Sequence, residues 1–255
     1  VEYVVTREKG ENVGTYDITP TGETTQGNYT VTYEKGVFTI SKSDELQIFT
    51  TDYSGTYDGQ THGSAATTNV SEGTKITYST DGGKTWSEDY PTITNVGTIN
   101  VTVKAENPNY ETKTEEYTLE VKVKAVTVKA DDVSKTYGDA DPELTATVDG
   151  LVGSDEIEYS VTRAEGETVG TYAITASGAA EQGNYKVTYD PGTLTINAKD
   201  VGRDDISVDD IEDVKYDGNT HKETPVVTDE TTGEELKEGT DYELEYTEDV
   251  TNAGT

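Results

Sequence analysis

The chain's two histidines, His62 and His221, occupy equivalent places in two Tyr-Asp-Gly-Xaa-Thr-His segments, residues 57–62 and 216–221. Zinc needs three or four His, Cys or carboxylate ligands converging on one point. One histidine per segment, in a chain with no cysteine, does not supply that set, so turn packing is the expected role of both. A hard cation has the better-matched donors. Asp131, Asp132, Asp139 and Asp141 place four carboxylates in one short segment, and calcium takes several hard oxygen ligands, weakly in many extracellular modules. Their spacing matches no calcium loop, which leaves a solvated acidic turn as the alternative. Paired carboxylates abound in so acidic a chain, but none stands beside a recognisable nucleophile, base and anion hole. A non-catalytic protein is therefore expected. Trp86, Tyr90 and Tyr110 are the side chains that would form a glycan platform, set against Trp86 as a core or edge plug. Lys129 and Asn197 are types that condense into an intramolecular cross-link, yet both alternate with apolar neighbours and are expected to face solvent.

The elements that must position these groups are strands. Apolar residues recur with period two at Ile99, Val101 and Val103, and again at Tyr117, Leu119, Val121 and Val123, the pattern of half-buried strands. Gly-containing turns punctuate them: Lys9-Gly10-Glu11, Tyr57-Asp58-Gly59, Asp81-Gly82-Gly83-Lys84, and Glu34-Lys35-Gly36, read as a hairpin between the strands of Tyr29–Tyr33 and Phe38–Ile40. No stretch shows helical periodicity over three turns. Gly150 to Asp155 reads as a loop or a single helical turn. At residues 125–126 the alternation passes from odd positions (Val121, Val123) to even ones (Val126, Val128), which marks the end of one buried face and the start of another. A junction without a Gly, Pro or Ser spacer favours limited bending.

The strands repeat. Residues 1–41 laid over 157–197 without a gap agree at 24 of 41 positions, so internal repetition governs every later reading. A Gly-Thr pair opens one strand and an Asn-Tyr pair opens a later one, at Gly14/Asn28, Gly97/Asn109 and Gly170/Asn184, with a further opening at Asn252-Ala253-Gly254-Thr255. Two unit types alternate: the C-terminal part of type one over 1–41, type two over 42–125, type one over 126–198, and the opening of type two over 199–255. The first segment lacks the opening strands of its complete copy and is expected to be frayed or paired with something outside this sequence. The tyrosine of each Asn-Tyr pair, Tyr29, Tyr110 and Tyr185, is expected to close the core with its ring and bond backbone with its hydroxyl.

Composition sets limits on partners. With 51 acidic against 19 basic residues and a formal charge of −32, nucleic acid and anionic membranes are disfavoured and basic surfaces or cations favoured. No apolar run reaches membrane-spanning length. Neither cysteine nor methionine occurs, which removes disulfides, thiol chemistry and the commonest oxidation targets. Low aliphatic content with high charge would suggest disorder, but 18 tyrosines, abundant threonine and strict alternation favour strands.

The segment Lys135-Thr136-Tyr137-Gly138-Asp139-Ala140-Asp141-Pro142, followed by Val169-Gly170-Thr171-Tyr172 and Gly183-Asn184-Tyr185, resembles the MBG domain of YGX type found in tandem in bacterial surface proteins. The Tyr-Asp-Gly units, with Lys237-Glu238-Gly239-Thr240-Asp241-Tyr242, are similar to the companion Ig-like repeats of large Firmicute adhesins. The resemblance implies secretion, attachment to a cell surface or wall, and a repetitive stalk, with host mucin or glycoprotein binding as a further implication. The expected fold is all-β: tandem small Ig-like β-sandwiches in an elongated rod, with β-grasp-like sheets as the alternative for the YGX units. The expected function is a stalk that presents a binding domain and contacts neighbouring repeats of the same chain. Glycan binding by the repeats themselves and filament growth by strand addition are the alternatives. No cofactor is expected beyond weakly bound calcium.

Overall fold

The computed structural model describes residues 1–200, 205–211, 213, 215–219, 222 and 224–245. His221, Tyr246 and the opening at Asn252–Thr255 lie outside the described residues. All regular structure is β, and no helix occurs among the described residues. The strands are β1 (Val4–Arg7), β2 (Gly14–Thr21), β3 (Thr25–Gln26), β4 (Tyr29–Thr30), β5 (Gly36–Ile40), β6 (Ile48–Phe49), β7 (Tyr53–Thr56) and β8 (His62–Gly63). They continue with β9 (Thr67–Thr68), β10 (Lys75–Ser79), β11 (Thr92–Ile93), β12 (Gly97–Glu106), β13 (Lys113–Lys122), β14 (Lys124–Ala130), β15 (Val133–Thr136) and β16 (Ala146–Asp149). The last are β17 (Ser160–Arg163), β18 (Gly170–Ser177), β19 (Glu181–Gln182), β20 (Tyr185–Asp190), β21 (Gly192–Asn197), β22 (Ile206–Val208), β23 (Val227–Asp229) and β24 (Glu234–Leu236).

The long alternating runs make the most regular sheet, ordered β10-β12-β13-β7. In β12 and β13 the period-two residues Val101, Val103, Ala105, Tyr117, Leu119 and Val121 are all buried, while the residues between them face outward. Val123 is an exception. It lies past the end of β13 and is exposed, because the phase switch falls there and not two residues later. Val126, Val128 and Ala130 are then buried on β14.

Residues 126–198 form two four-stranded sheets, β16-β14-β20-β19 and β15-β21-β18-β17, the layers of a β-sandwich. With no helix laid on either sheet, the β-grasp alternative drops out. The first 41 residues repeat part of this plan. β1-β2-β5 corresponds to β17-β18-β21, with Arg7 opposite Ile18 as Arg163 is opposite Ile174, and the hairpin β3-β4 corresponds to β19-β20. The expected hairpin through Glu34-Lys35-Gly36 does not form. β5 pairs with β2 and β4 with β3, so those three residues, like Asp190-Pro191-Gly192 in the complete copy, carry the chain from one sheet to the other. In this first segment Val1, Tyr3, Val4, Val5, Val37 and Phe38 are exposed.

By compactness the chain divides into two units. One comprises Val1–Thr127, Val148–Glu158 and Ala179–Thr188, the other Val128–Thr147, Tyr159–Gly178 and Tyr189–Thr255.

Candidate functional site

Within the first unit, the residues of the repeat cadence meet one another. Asn109 Oδ1 accepts a hydrogen bond from the Val13 backbone N–H at 2.9 Å, and its Nδ2 donates to Asn12 Oδ1 at 3.0 Å. Asn184 does the same one repeat later, with Val96 N–H at 2.8 Å and Asn95 Oδ1 at 3.1 Å. The main chain joins in, since the carbonyls of Asn109 and Asn184 accept from Ser43 N–H and Lys124 N–H, both at 3.0 Å. Asn109 and Asn184 therefore cap the Asn-Val-Gly-Thr loops at residues 12–15 and 95–98. An asparagine suits this because one amide supplies both an acceptor and a donor.

Beside the second bridge, the Tyr57 and Tyr185 rings pack edge to face, with centroids 5.5 Å apart and planes at 89°. Both hydroxyls donate to Asp155 Oδ2, at 3.0 Å and 2.6 Å, and the Tyr185 hydroxyl also accepts from Val152 N–H at 3.0 Å. Burial, followed by the bond to Asp155, pushes the Tyr185 phenol up to about 12. The hydrogen bond to Asp155, followed by burial, raises that of Tyr57. At Gly59 a side-chain carbon would lie 2.9 Å from the Val152 methyl, so the Tyr-Asp-Gly turn needs its glycine for this approach as well as for its positive φ of 76°.

In the second unit, the YGX segment builds a charge cluster. The Lys135 side chain is 4% exposed, and its ammonium bonds Asp141 Oδ1 at 2.8 Å, the Asp139 carbonyl at 3.1 Å, and Glu167. Arg163 bonds Asp141 Oδ2 at 2.6 Å, the Gly166 carbonyl at 2.7 Å, and Glu167. Two cations and two carboxylates thus neutralise one another. Arg163 and then Lys135 hold the Asp141 carboxyl below the usual range, and Asp141 followed by Glu167 raises the Lys135 ammonium. Amide condensation would require a neutral amine facing a protonated acid, the opposite of this arrangement. Tyr137 donates to Glu234 Oε2 at 3.1 Å, and Gly138 lies under the Thr232 methyl.

The four aspartates expected to share a cation are employed separately. Asp131 accepts from the Thr145 and Thr147 hydroxyls, at 2.7 and 2.9 Å, which lower its pKa. Asp132 accepts from Thr193 N–H at 2.7 Å, Asp139 uses its carbonyl, and Asp141 is paired. Among the described residues no group of three or more His, Asp or Glu side chains could hold a metal. His62 stacks on Tyr53, centroids 4.2 Å apart, with Nε2 2.9 Å from Asp58 Oδ1, the turn packing expected of it. Lys129 and Asn197 both face solvent.

The aromatic candidates are dispersed. Trp86 is half-buried, its indole N–H bound to the Gly83 carbonyl at 3.0 Å and one ring face covered by the Lys104 ammonium at 4.6 Å. Tyr90, 47% exposed, meets Tyr78 edge-on. Tyr110 lies at the bridge to Ser43.

The expected corner role of the Asn-Tyr tyrosines holds for Tyr185, whose ring is 4% exposed and whose hydroxyl accepts from the Val152 backbone N–H, whereas Tyr29 is 69% exposed. The phenols of the Gly-Thr-Tyr triplets also bond backbone, each donating to a carbonyl four residues earlier. Tyr16 donates to the Asn12 carbonyl at 2.6 Å and Tyr172 to the Thr168 carbonyl at 2.7 Å. Their rings lie against Gly10 and Gly166, where an added Cβ would stand 2.1 Å from a ring carbon. The equal offset of Gly10/Tyr16 and Gly166/Tyr172 in the repeat was the signal for this pairing.

Residues 1–39 and 126–195 match the MBG domain (YGX type). No curated protein matches the chain. Among solved structures it is similar to Drosophila N-cadherin EC1-4, at 12% identity and a TM-score of 0.28, over 74% of this chain and 59% of that one. It is also similar to the Bacteroides ovatus mixed-linkage glucan utilization locus protein SGBP-B in complex with a mixed-linkage heptasaccharide, at 17% and 0.25, over 60% and 48%. A third is human CDH23 EC21-23, at 17% and 0.27, over 71% and 74%. The chain spans 59% and 48% of the lengths of the first two. The fold assignment rests on the strands themselves.

Proposed function

We propose that this chain, whose residues 1–39 and 126–195 are MBG segments of the YGX type, is a non-catalytic repeat region of a bacterial cell-surface adhesin. In this reading it is an extracellular stalk, attached at the cell surface or wall, that projects or presents a binding domain. The observation that carries the reading is the recurrence of one asparagine bridge at two successive repeat borders. A spacer must transmit position from unit to unit, and conserving polar geometry at borders serves that purpose whatever is presented at the tip. The acid excess keeps such an array soluble and apart from its copies.

A second reading, binding of host mucin or another glycan by the repeats themselves, is favoured by the exposed Tyr90 ring, four residues after the half-buried Trp86. Binding of the chain to immobilised mucin and a glycan panel, with and without calcium, separates the two. A flat response in both conditions is expected for a spacer. Saturable binding lost on Trp86→Ala would contradict it. A third reading, filament growth by strand addition, is favoured by the cleft of about 820 Å³ between Val1–Val4 and Thr21–Gly27. A monomer mass independent of concentration counts against that reading.

A further inference from the structure

We infer that Tyr57 and Tyr137 mark one docking corner shared by both segment types, and that its partner in each case is a loop of the following segment that lays a β-branched side chain over a glycine and offers a carboxylate to the phenol. The inference holds whether the repeats are a spacer or bind glycan themselves. Residues 52–57 and 132–137, Asp-Tyr-Ser-Gly-Thr-Tyr and Asp-Val-Ser-Lys-Thr-Tyr, agree at four of six positions. The strand pairing gives the same alignment. β7 runs parallel to β13 with Tyr53 opposite Leu119 and Thr56 opposite Lys122, and β15 runs parallel to β21 with Val133 opposite Leu194 and Thr136 opposite Asn197. Asp52 accepts from Thr118 N–H and Asp132 from Thr193 N–H, both at 2.7 Å. Tyr57 N–H donates to the Lys122 carbonyl and Tyr137 N–H to the Asn197 carbonyl, both at 2.9 Å. Each tyrosine therefore stands beside the end of the strand from which the chain passes into the next segment.

The partners are alike as well. The Tyr57 hydroxyl donates to Asp155 Oδ2 at 3.0 Å, and that of Tyr137 to Glu234 Oε2 at 3.1 Å. A glycine with left-handed backbone follows each tyrosine, Gly59 at φ 76° and Gly138 at φ 85°. A Cβ added there would lie 2.9 Å from a Val152 methyl in the first case and 3.3 Å from the Thr232 methyl in the second, so glycine serves both the turn and the close approach. A tyrosine suits the corner because its ring packs while its hydroxyl reaches a polar partner. Each set of contacts lies inside one of the two compact units. The phenols respond to their partners: the bond to Asp155, followed by burial, raises that of Tyr57, and the bond to Glu234, followed by burial, raises that of Tyr137. Asp58 also acts on Tyr57, and Asp229 and Asp241 act on Tyr137, in the same direction.

The test is NMR of isotope-labelled tyrosine ring carbons in the full chain, titrated through the phenol range of about pH 9 to 12. Both phenols are expected to titrate above their ordinary value. Glu234→Gln is expected to lower the Tyr137 midpoint and leave that of Tyr57 in place, and Asp155→Asn to do the reverse. Docking itself is read at the Gly233 amide of the following segment, which bonds the Asp229 carbonyl at 2.7 Å. Tyr137→Phe is expected to speed exchange there about fivefold, the effect of losing one hydrogen bond. A phenol unmoved by loss of its own carboxylate at either corner would overturn the proposal, and so would unaltered exchange at Gly233 in Tyr137→Phe. Should Asp155→Asn fail to fold, since Tyr185 bonds the same carboxylate, Glu234→Gln and Tyr137→Phe still decide it.

Discussion

Tyr185 shows how one side chain can join several others. Its hydroxyl donates a hydrogen bond to Asp155 and accepts one from Val152 N–H, so Tyr185→Phe leaves a part-buried backbone donor without its acceptor. The expected cost is about 1–3 kcal/mol, read as a lower urea midpoint with an unchanged slope. The pH dependence follows from the same group and from Tyr117, whose phenol burial also raises to about 12. A phenol whose folded pKa lies above its ordinary value near 10 stabilises the fold while protonated. That contribution is complete below about pH 10 and is lost as pH rises toward 12, so urea midpoints should fall between pH 9.5 and 11.5 (roughly this window). The Gly166 position makes a sharper demand, with φ 137° and a ring carbon 2.1 Å from any added Cβ. Gly166→Ala should cost about 1–3 kcal/mol by overpacking, and Tyr172→Ala in the same chain should relieve much of it.

At the scale of elements, the strands of residues 126–198 depend on residues such as Leu194 in β21, flanked by β15 and β18 and fully buried. Leu194→Ala should destabilise by about 2–5 kcal/mol, measured by denaturant unfolding. Most of this architecture was legible in the sequence because side-chain direction alternates: β12, β13 and the phase switch near 125 follow directly from Val101 to Val128. What stayed illegible was pairing between strands distant in sequence. Glu34-Lys35-Gly36 has hairpin chemistry, yet the two apolar faces it links belong to different sheets, a choice made by packing and not by turn propensity. The cluster around Asp141 was hidden for a similar reason. Its cations arrive from Lys135 and Arg163, and no local spacing distinguishes a carboxylate awaiting calcium from one awaiting lysine. The repeat offered the better guide, because Asn-Val-Gly-Thr and Asn-Tyr recur as a set.

For the molecule as a whole, the charge of −32 opposes compaction, and the folded chain should gain stability as salt rises through about 0.1 M, where screening reaches roughly 10 Å. The central claim, that these repeats act as a stalk, is tested most directly by small-angle X-ray scattering of the chain at that ionic strength. A compact chain of this length would have a radius of gyration of about 18 Å and an unfolded one about 56 Å. The account predicts an intermediate value with the scattering of a rod of constant cross-section, and a value near 18 Å with a globular profile would contradict it.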